Sequence, residues 1–424
     1  MNATAVQQEQ PIEVRAWQHG AAFLFACAIL FARRPDAILN PQFRAEDGHV
    51  WFADAYNLGW WPALFQAHTG YFQTLPRLGA SLALLVPLAL APLVLNLIAI
   101  AVQALPVNLL LSSRSHAWGN LRFRALLAGL YLALPNCAEL SCGITESQWL
   151  LAFCAFLLLV ASTPRSLAGR LFDVFILILC GLTGPFCIAL FPFALFLAFR
   201  QRDRWRWVPA AVLAALCLVQ AWALLIVDPA GRTHAPLGAS PVLFTRILAG
   251  QVYCAALLGA NKLALLPGLP VFIFLVCLAL AGTAIVAFCC LKSPLQLRLF
   301  ILFSAALFAL ALISPTGSVP AGTTYWENLA AAPGVRYWFF PTLAFAWSLL
   351  WCLLCRTVLL KVVAAYLLFF MCIGIVRDFR HPAFQDLHFA ENAKRFEAAP
   401  AGTTVTILLN PGGWNMQLVK HPSG

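Results

Sequence analysis

The residues with the clearest chemical potential are carboxylates and guanidiniums set between apolar stretches. Glu46 and Asp47 stand side by side in AEDGHVWFADAYNLG, Glu139 and Glu146 lie in PNCAELSCGITESQW, and the basic residues Arg232, Arg246, Lys262 and Arg336 follow in later polar segments. A carboxylate can take the proton from an attacking hydroxyl. A fixed guanidinium can bind a phosphate through two N–H donors. Together they suit group transfer from a phosphate-linked donor. Singly, each charge also fits a plain solvated position near lipid head groups.

The elements that must hold these groups follow from composition. Of 424 residues, 62% are hydrophobic and 10% charged, against roughly 25% charged in soluble domains. Ala91 to Leu111, Val208 to Val227, Leu269 to Cys289 and Val358 to Val376 each approach the roughly 20 apolar residues of a membrane-crossing helix. Backbone polar groups in lipid must be satisfied internally, which leaves helices or a closed barrel. The runs lack the alternation of barrel strands. The expected fold class is therefore an all-α polytopic membrane protein of about eleven transmembrane helices.

The net charge of +11 does not point to nucleic acid once the basic residues are placed. They cluster in short loops: Arg114, Arg122 and Arg124; Arg165 and Arg170; Arg200 to Arg206; Lys292 and Arg298; Arg356 and Lys361. Alternate crossings put all of these, with Arg15, on one side, and the positive-inside rule makes that side cytoplasmic. That side receives 14 Lys and Arg against four acids, leaving 13 basic and 12 acidic residues outside. Acids weigh little in orientation, so their concentration on the outer side points to function.

Along the chain, residues 1–16 form a cytoplasmic tail and 17–376 the membrane domain, with outer loops near 35–76, 139–147, 228–267 and 315–337. The aromatics of the first loop suit helices lying in the interface. Residues 77–113 carry Pro87 and Pro92 and are expected as a surface helix to about residue 90 followed by one span. Residues 171–199 are expected to go in and return as two short helices bent at Gly184 and Pro185. A surface helix is expected around Val242 to Leu258. Residues 377–424 read as a small extracytoplasmic α+β module, with a helix over 384–398 and strands over 403–409 and 414–420. Most of the 14 cysteines, such as Cys27, Cys180, Cys217, Cys277 and Cys372, fall inside spans as small hydrophobes. Cys137 and Cys142 lie near an outer mouth, where pairing stays open.

An acidic pair early in the first outer loop, after one span and before interfacial helices, many further spans and an outer C-terminal module, resembles the GT-C glycosyltransferase superfamily. The blocks GYFQTLPRL, ELSCGITESQW, LTGPFCIALFP, GVRYWFFP and NPGGWNMQLVK look like those of bacterial members. The resemblance implies a transferase that takes a sugar from a polyprenyl-phosphate carrier and passes it to a lipid or polysaccharide acceptor at the outer face of the inner membrane. It implies Asp47 as general base with Glu46 positioning it or touching the acceptor, or the reverse order. Donor phosphate contacts fall to Arg336, Tyr337 and Arg232, while His49, Glu139, Glu146 and Arg77 belong to the acceptor side or the cavity. No cofactor is required. A divalent metal stays open, since Glu46, Asp47, His49 and Glu146 offer ligands but no spacing demands one.

Three other classes compete. A multi-span transporter or lipid flippase would carry charges at mid-membrane depth or repeated halves, and neither is visible in the sequence. A polysaccharide polymerase or ligase would rely on a large outer loop rich in Arg and His, for which Arg232 and His234 are the candidates. A membrane scaffold would have no need of outer acids.

Overall fold

The computed structural model describes residues 15–141, 143–228, 235–260, 267–317 and 319–422; among them the chain is a helical bundle with one two-stranded antiparallel sheet near its C-terminus. Six helices are long and apolar enough to cross a membrane: Leu88–Leu111, Arg204–Val227, Pro241–Leu258, Leu269–Lys292, Leu295–Ile313 and Val358–Asp378. Much of their apolar surface points outward. Only 11% of the most apolar stretch of Leu269–Lys292 and 17% of that of Val358–Asp378 is buried. Such faces call for hydrocarbon around them, and the architecture is that of a helical membrane protein.

Several other apolar helices are shorter, and burial explains how. Ser147–Val160 extends roughly 21 Å at ~1.5 Å per residue, less than the ~30 Å of a bilayer core. Every one of its residues is buried, so protein rather than lipid surrounds it. Its Phe153 and Phe156 stack into an aromatic core with Phe300, Phe303, Phe340 and Trp347.

Pro241–Leu258 has the length of a span but does not run from one end of the bundle to the other. Before its start, Pro236 and Leu237 accept hydrogen bonds from the Tyr325 and Trp326 N–H groups. Just after its end, the Ala260 N–H donates to Asp378. Asn136 links these neighbourhoods, since its N–H donates to Asp378 and its side chain accepts from Gly334 N–H. Both ends therefore lie at one end of the bundle, and the residues between, Ala249 to Leu257, are buried within it.

The two proline-bearing stretches divide near their prolines, although the first helix stops at Ala83 and not near residue 90. Thr74–Ala83 is a separate helix, followed by a turn and the long helix Ala91–Leu111. Leu167–Leu182 and Phe186–Gln201 form an antiparallel pair that reverses at Gly184, whose φ is 94°. A Cβ there would stand 2.4 Å from Gln148 Oε1, so both conformation and space require glycine.

Arg114, Arg124 and Arg206 meet at one end. Arg114 holds Asp173 through two N–H donors at 2.8 and 2.6 Å. Arg206 donates to the carbonyls of Leu159 and Ala161, and Arg124 to those of Leu110, Leu111 and Ser112, covering helix C-termini whose carbonyls lack intrahelical partners.

The opposite end carries the C-terminal segment. Its helix, Phe389–Glu397, is shorter than the expected 384–398 because it can start only after His388, whose φ of 52° breaks a right-handed helix; the stretch before it is held by Phe384 N–H donating to Asp36 and Leu387 N–H to Gln42. Strands Thr404–Leu409 and Trp414–Val419 pair in register from Thr404↔Val419 to Leu409↔Trp414. The hairpin docks on the first loop, with Ala45 N–H donating to Asn410 O at 2.6 Å and Asn57 bonding Gln417 and Val419.

Candidate active site

Glu46 and Asp47 sit where the first loop turns abruptly into a helix. Ala45 has a φ of 42°, an uncommon conformation for a residue with a Cβ, held by its hydrogen bond to Asn410 O. The next residues, Asp47–Phe52, wind as a π-helix, a widened turn that recurs at functional sites. Gly48 lets this turn close on its neighbours, because a Cβ there would lie 2.8 Å from Phe43 and 2.9 Å from Leu409.

The two acids face different surroundings. Asp47 is buried, and its Oδ1 accepts from the Thr145 hydroxyl at 2.6 Å and the Thr145 N–H at 3.2 Å. Thr145 in turn accepts from Trp51 Nε1 at 2.8 Å. Burial pushes the Asp47 carboxyl up to about 6, against the Thr145 hydrogen bonds and Arg44, which lower it. Glu46 is half-buried, makes no hydrogen bond among the described residues, and lines a polar cavity of about 400 Å³.

Glu139 and Glu146 line that cavity too, bound by two arginines. Arg336 donates to Glu139 from Nη1 and from its backbone N–H, the latter at 2.6 Å, while its Nη2 reaches Thr316. Arg44 spans Glu139 at 3.8 Å and Glu146 at 3.4 Å. Gly143 makes room for this pair, since a Cβ would fall 2.4 Å from Glu146 Oε2. Burial acts to raise the Glu139 pKa, but the Arg336 and Arg44 guanidiniums overcome it and hold the group below its ordinary value. Glu146 goes the other way: burial, with Glu139 and Asp47 nearby, raises it despite Arg44. Burial lowers His68, which lines the same cavity and is opposed by Glu46.

A second cavity of about 220 Å³ is mostly apolar, walled by Trp149, Phe186, Ile188, Leu307, Leu310 and Ala311. Thr316, Arg336 and Tyr337 belong to both cavities. Tyr337 is fixed there by Thr316, its hydroxyl donating to the Thr316 carbonyl at 2.7 Å.

Of the sequence-derived site residues, Glu46, Glu139, Glu146, Arg336 and Tyr337 line one cavity. Asp47 lies behind its wall. His49 is exposed and turned to the C-terminal hairpin, bonded to Asn415 O and edge-on to Trp414. Arg77 lies away from the cavity, buried over the Trp51 ring and paired with Asp54 at 3.1 Å. Its position in a helix that packs beneath the loop puts its charge inside. Arg232, like Lys262, His234 and Cys142, lies outside the described residues. Arg44, His68, Thr145, Thr316 and Trp414 were not singled out by sequence reasoning. Arg44, two residues before Glu46, carried the only local signal. Among the described residues, no group of three or more His, Cys, Asp or Glu side chains is placed to hold a metal ion.

Asp47 predicts a pH dependence. Its carboxyl, pushed up to about 6, lies above the ordinary aspartate value of about 3.9, so the fold takes up a proton and loses stability as pH rises from about 4 through about 6. About two pKa units correspond to about 3 kcal/mol. Asp47→Asn keeps the acceptor for Thr145 and carries no charge. It should therefore be more stable than wild type by up to about that amount at pH 8, with the gain gone near pH 4. Unfolding in detergent across this range measures it, and a pH-independent difference would contradict the assignment.

Compared with protein-family models and with curated proteins, the chain matches none of them.

Proposed function

We propose that this protein is a membrane glycosyltransferase that moves a sugar from a polyprenyl-phosphate-linked donor to a cell-envelope acceptor at the outer face of a bacterial inner membrane. The observation that carries this reading is the meeting of an apolar slot and an acid-lined polar cavity at Arg336 and Tyr337. An isoprenoid chain suits the slot, a phosphate suits the Arg336 guanidinium, and the sugar then lies in the polar cavity beside Glu46. Glu46, unpaired and facing the cavity, accepts the proton of the acceptor hydroxyl as that oxygen attacks the anomeric carbon. The bond from that carbon to the phosphate oxygen breaks, and polyprenyl phosphate leaves. Asp47 acts behind Glu46, tying the loop to Thr145. No step needs a metal.

Eleven helices are read as crossing: Ala16–Arg33, Ala91–Leu111, Leu121–Ala133, Ser147–Val160, Leu167–Leu182, Phe186–Gln201, Trp207–Trp222, Leu269–Lys292, Leu295–Ile313, Phe339–Cys352 and Val358–Asp378. The arginine-rich end faces the cytoplasm. The N-terminus then lies inside and the C-terminal hairpin outside.

A photoactivatable short-chain polyprenyl phosphate tests the donor site. Cross-links are expected in Phe186–Ala189 and Leu307–Ala311, displaced by unlabelled polyprenyl phosphate and much less by the matching polyprenol. Labelling spread over all outward helix faces, or equal displacement by the alcohol, would sink the reading.

A further inference from the structure

The polar cavity has one wall that the donor reading leaves unused. The turn between the two C-terminal strands docks beside the Glu46 loop and brings Pro411 and Trp414 to the lining of the cavity that Glu46, His68 and Asn328 share. Trp414 is half-buried, with its ring braced edge-on by His49 at 5.4 Å between centroids. Among the described residues, the side chains of Glu46, His68, Asn328 and Trp414 make no hydrogen bond to one another or to other protein groups. Unspent donors and acceptors converging on a cavity within the ~300–1,000 Å³ of small-molecule sites mark a place for a ligand rich in polar groups.

The charge of the wall narrows the class. Arg44 is taken up by Glu139 and Glu146, and Arg336, at the junction with the apolar slot, is assigned to the donor phosphate, so among the described residues Glu46 is the cavity carboxylate with no ion-pair partner of its own. A phosphorylated or carboxylated ligand beside it would meet a like charge. A ring with hydroxyls along its edge and C–H groups on its face satisfies every wall: hydroxyls bond Glu46, His68 and Asn328, and the C–H face lies on the indole.

We propose that the hairpin turn completes a subsite for an uncharged or amino-bearing sugar ring, with Trp414 as its platform and Glu46, His68 and Asn328 as its hydrogen-bonding edge. It deepens the transferase reading by making this ring the acceptor, so the acceptor presents a sugar without phosphate or carboxylate at the point of transfer. Trp414 sets specificity through contact with the ring and takes no part in proton movement.

Binding alone tests this. The full chain in lipid nanodiscs is titrated by saturation-transfer NMR with methyl glycosides of glucose, galactose, mannose and glucosamine, and with methyl glucuronide as the anionic counterpart. At least one of the four is expected to bind about tenfold more tightly than the glucuronide, an affinity step of ~1.4 kcal/mol. Trp414→Ala should weaken that binding about tenfold, near the upper value of aromatic contacts. Trp414→Phe should keep most of it, and Trp60→Ala, an exposed tryptophan outside this cavity, should leave it unchanged. Equal unfolding temperatures for Trp414→Ala and wild type exclude a folding defect as the cause of the loss. No preference over the glucuronide, or equal binding by Trp414→Ala and wild type, overturns the proposal. Glycoside binding without donor cross-linking would uphold the subsite and remove the transferase reading. Cross-linking without glycoside binding would do the reverse.

Discussion

Glu46→Gln should lower the rate of sugar transfer by roughly 10² to 10⁴, the usual loss when a general base is removed, while leaving polyprenyl-phosphate cross-linking intact. The amide keeps the size and polarity of the side chain but cannot take a proton. Asp47→Asn should lose far less activity, because Asp47 accepts from Thr145 behind the cavity wall and its amide can still accept there. The ratio between the two variants is the informative quantity. It comes from initial rates with a radiolabelled polyprenyl-phosphate sugar and an envelope fraction as acceptor. A larger loss in Asp47→Asn would return the base to Asp47 and make Glu46 its neighbour in a supporting role.

The second large effect is expected at Arg336, and there two consequences must be separated. Arg336→Ala removes a charge-assisted contact worth about 1.5–3 kcal/mol, so the apparent donor KM should rise about 10- to 100-fold. It also strips Glu139 of its nearest cation, leaving only Arg44 at 3.8 Å. A buried carboxylate short of a partner destabilises the fold. Pairing Arg336→Ala with Glu139→Gln should restore much of the stability and none of the donor affinity, since only the first loss comes from the stranded charge. Recovery of both in the double variant would show that Arg336 serves the fold alone. Thermal unfolding and donor titration on the same preparations give the two answers.

The helical membrane architecture was legible because it depends on local composition. Apolar runs, the prolines near residue 90 and the Gly184–Pro185 bend each dictate their own neighbourhood, and the structure follows them. The hairpin was legible for the same reason, from strands flanking Asn410, Pro411, Gly412 and Gly413. Acids and Arg336 could be nominated as site residues because charges between apolar runs are few. Their arrangement was not legible. Whether Glu46 or Asp47 faces the cavity depends on the φ of Ala45 and on the hydrogen bond its N–H donates to the Asn410 carbonyl, which lies more than 300 residues away along the chain. Arg77 shows the same limit, since nothing local announces that Asp54 and Trp51 will enclose its guanidinium. The helix expected over 384–398 starts only after His388, whose φ of 52° interrupts it, while Asp36 and Gln42 hold the stretch before it from far along the chain.

The bond between Ala45 and Asn410 also orders events during synthesis. The first loop leaves the ribosome early, but the backbone that fixes the turn before Glu46 is made only when the Thr404–Val419 region emerges. A nascent chain can insert its helices one after another and still hold an unfinished centre. On the transferase reading, a chain cut short near residue 400 would carry its helices and lack the contact that fixes the turn before Glu46.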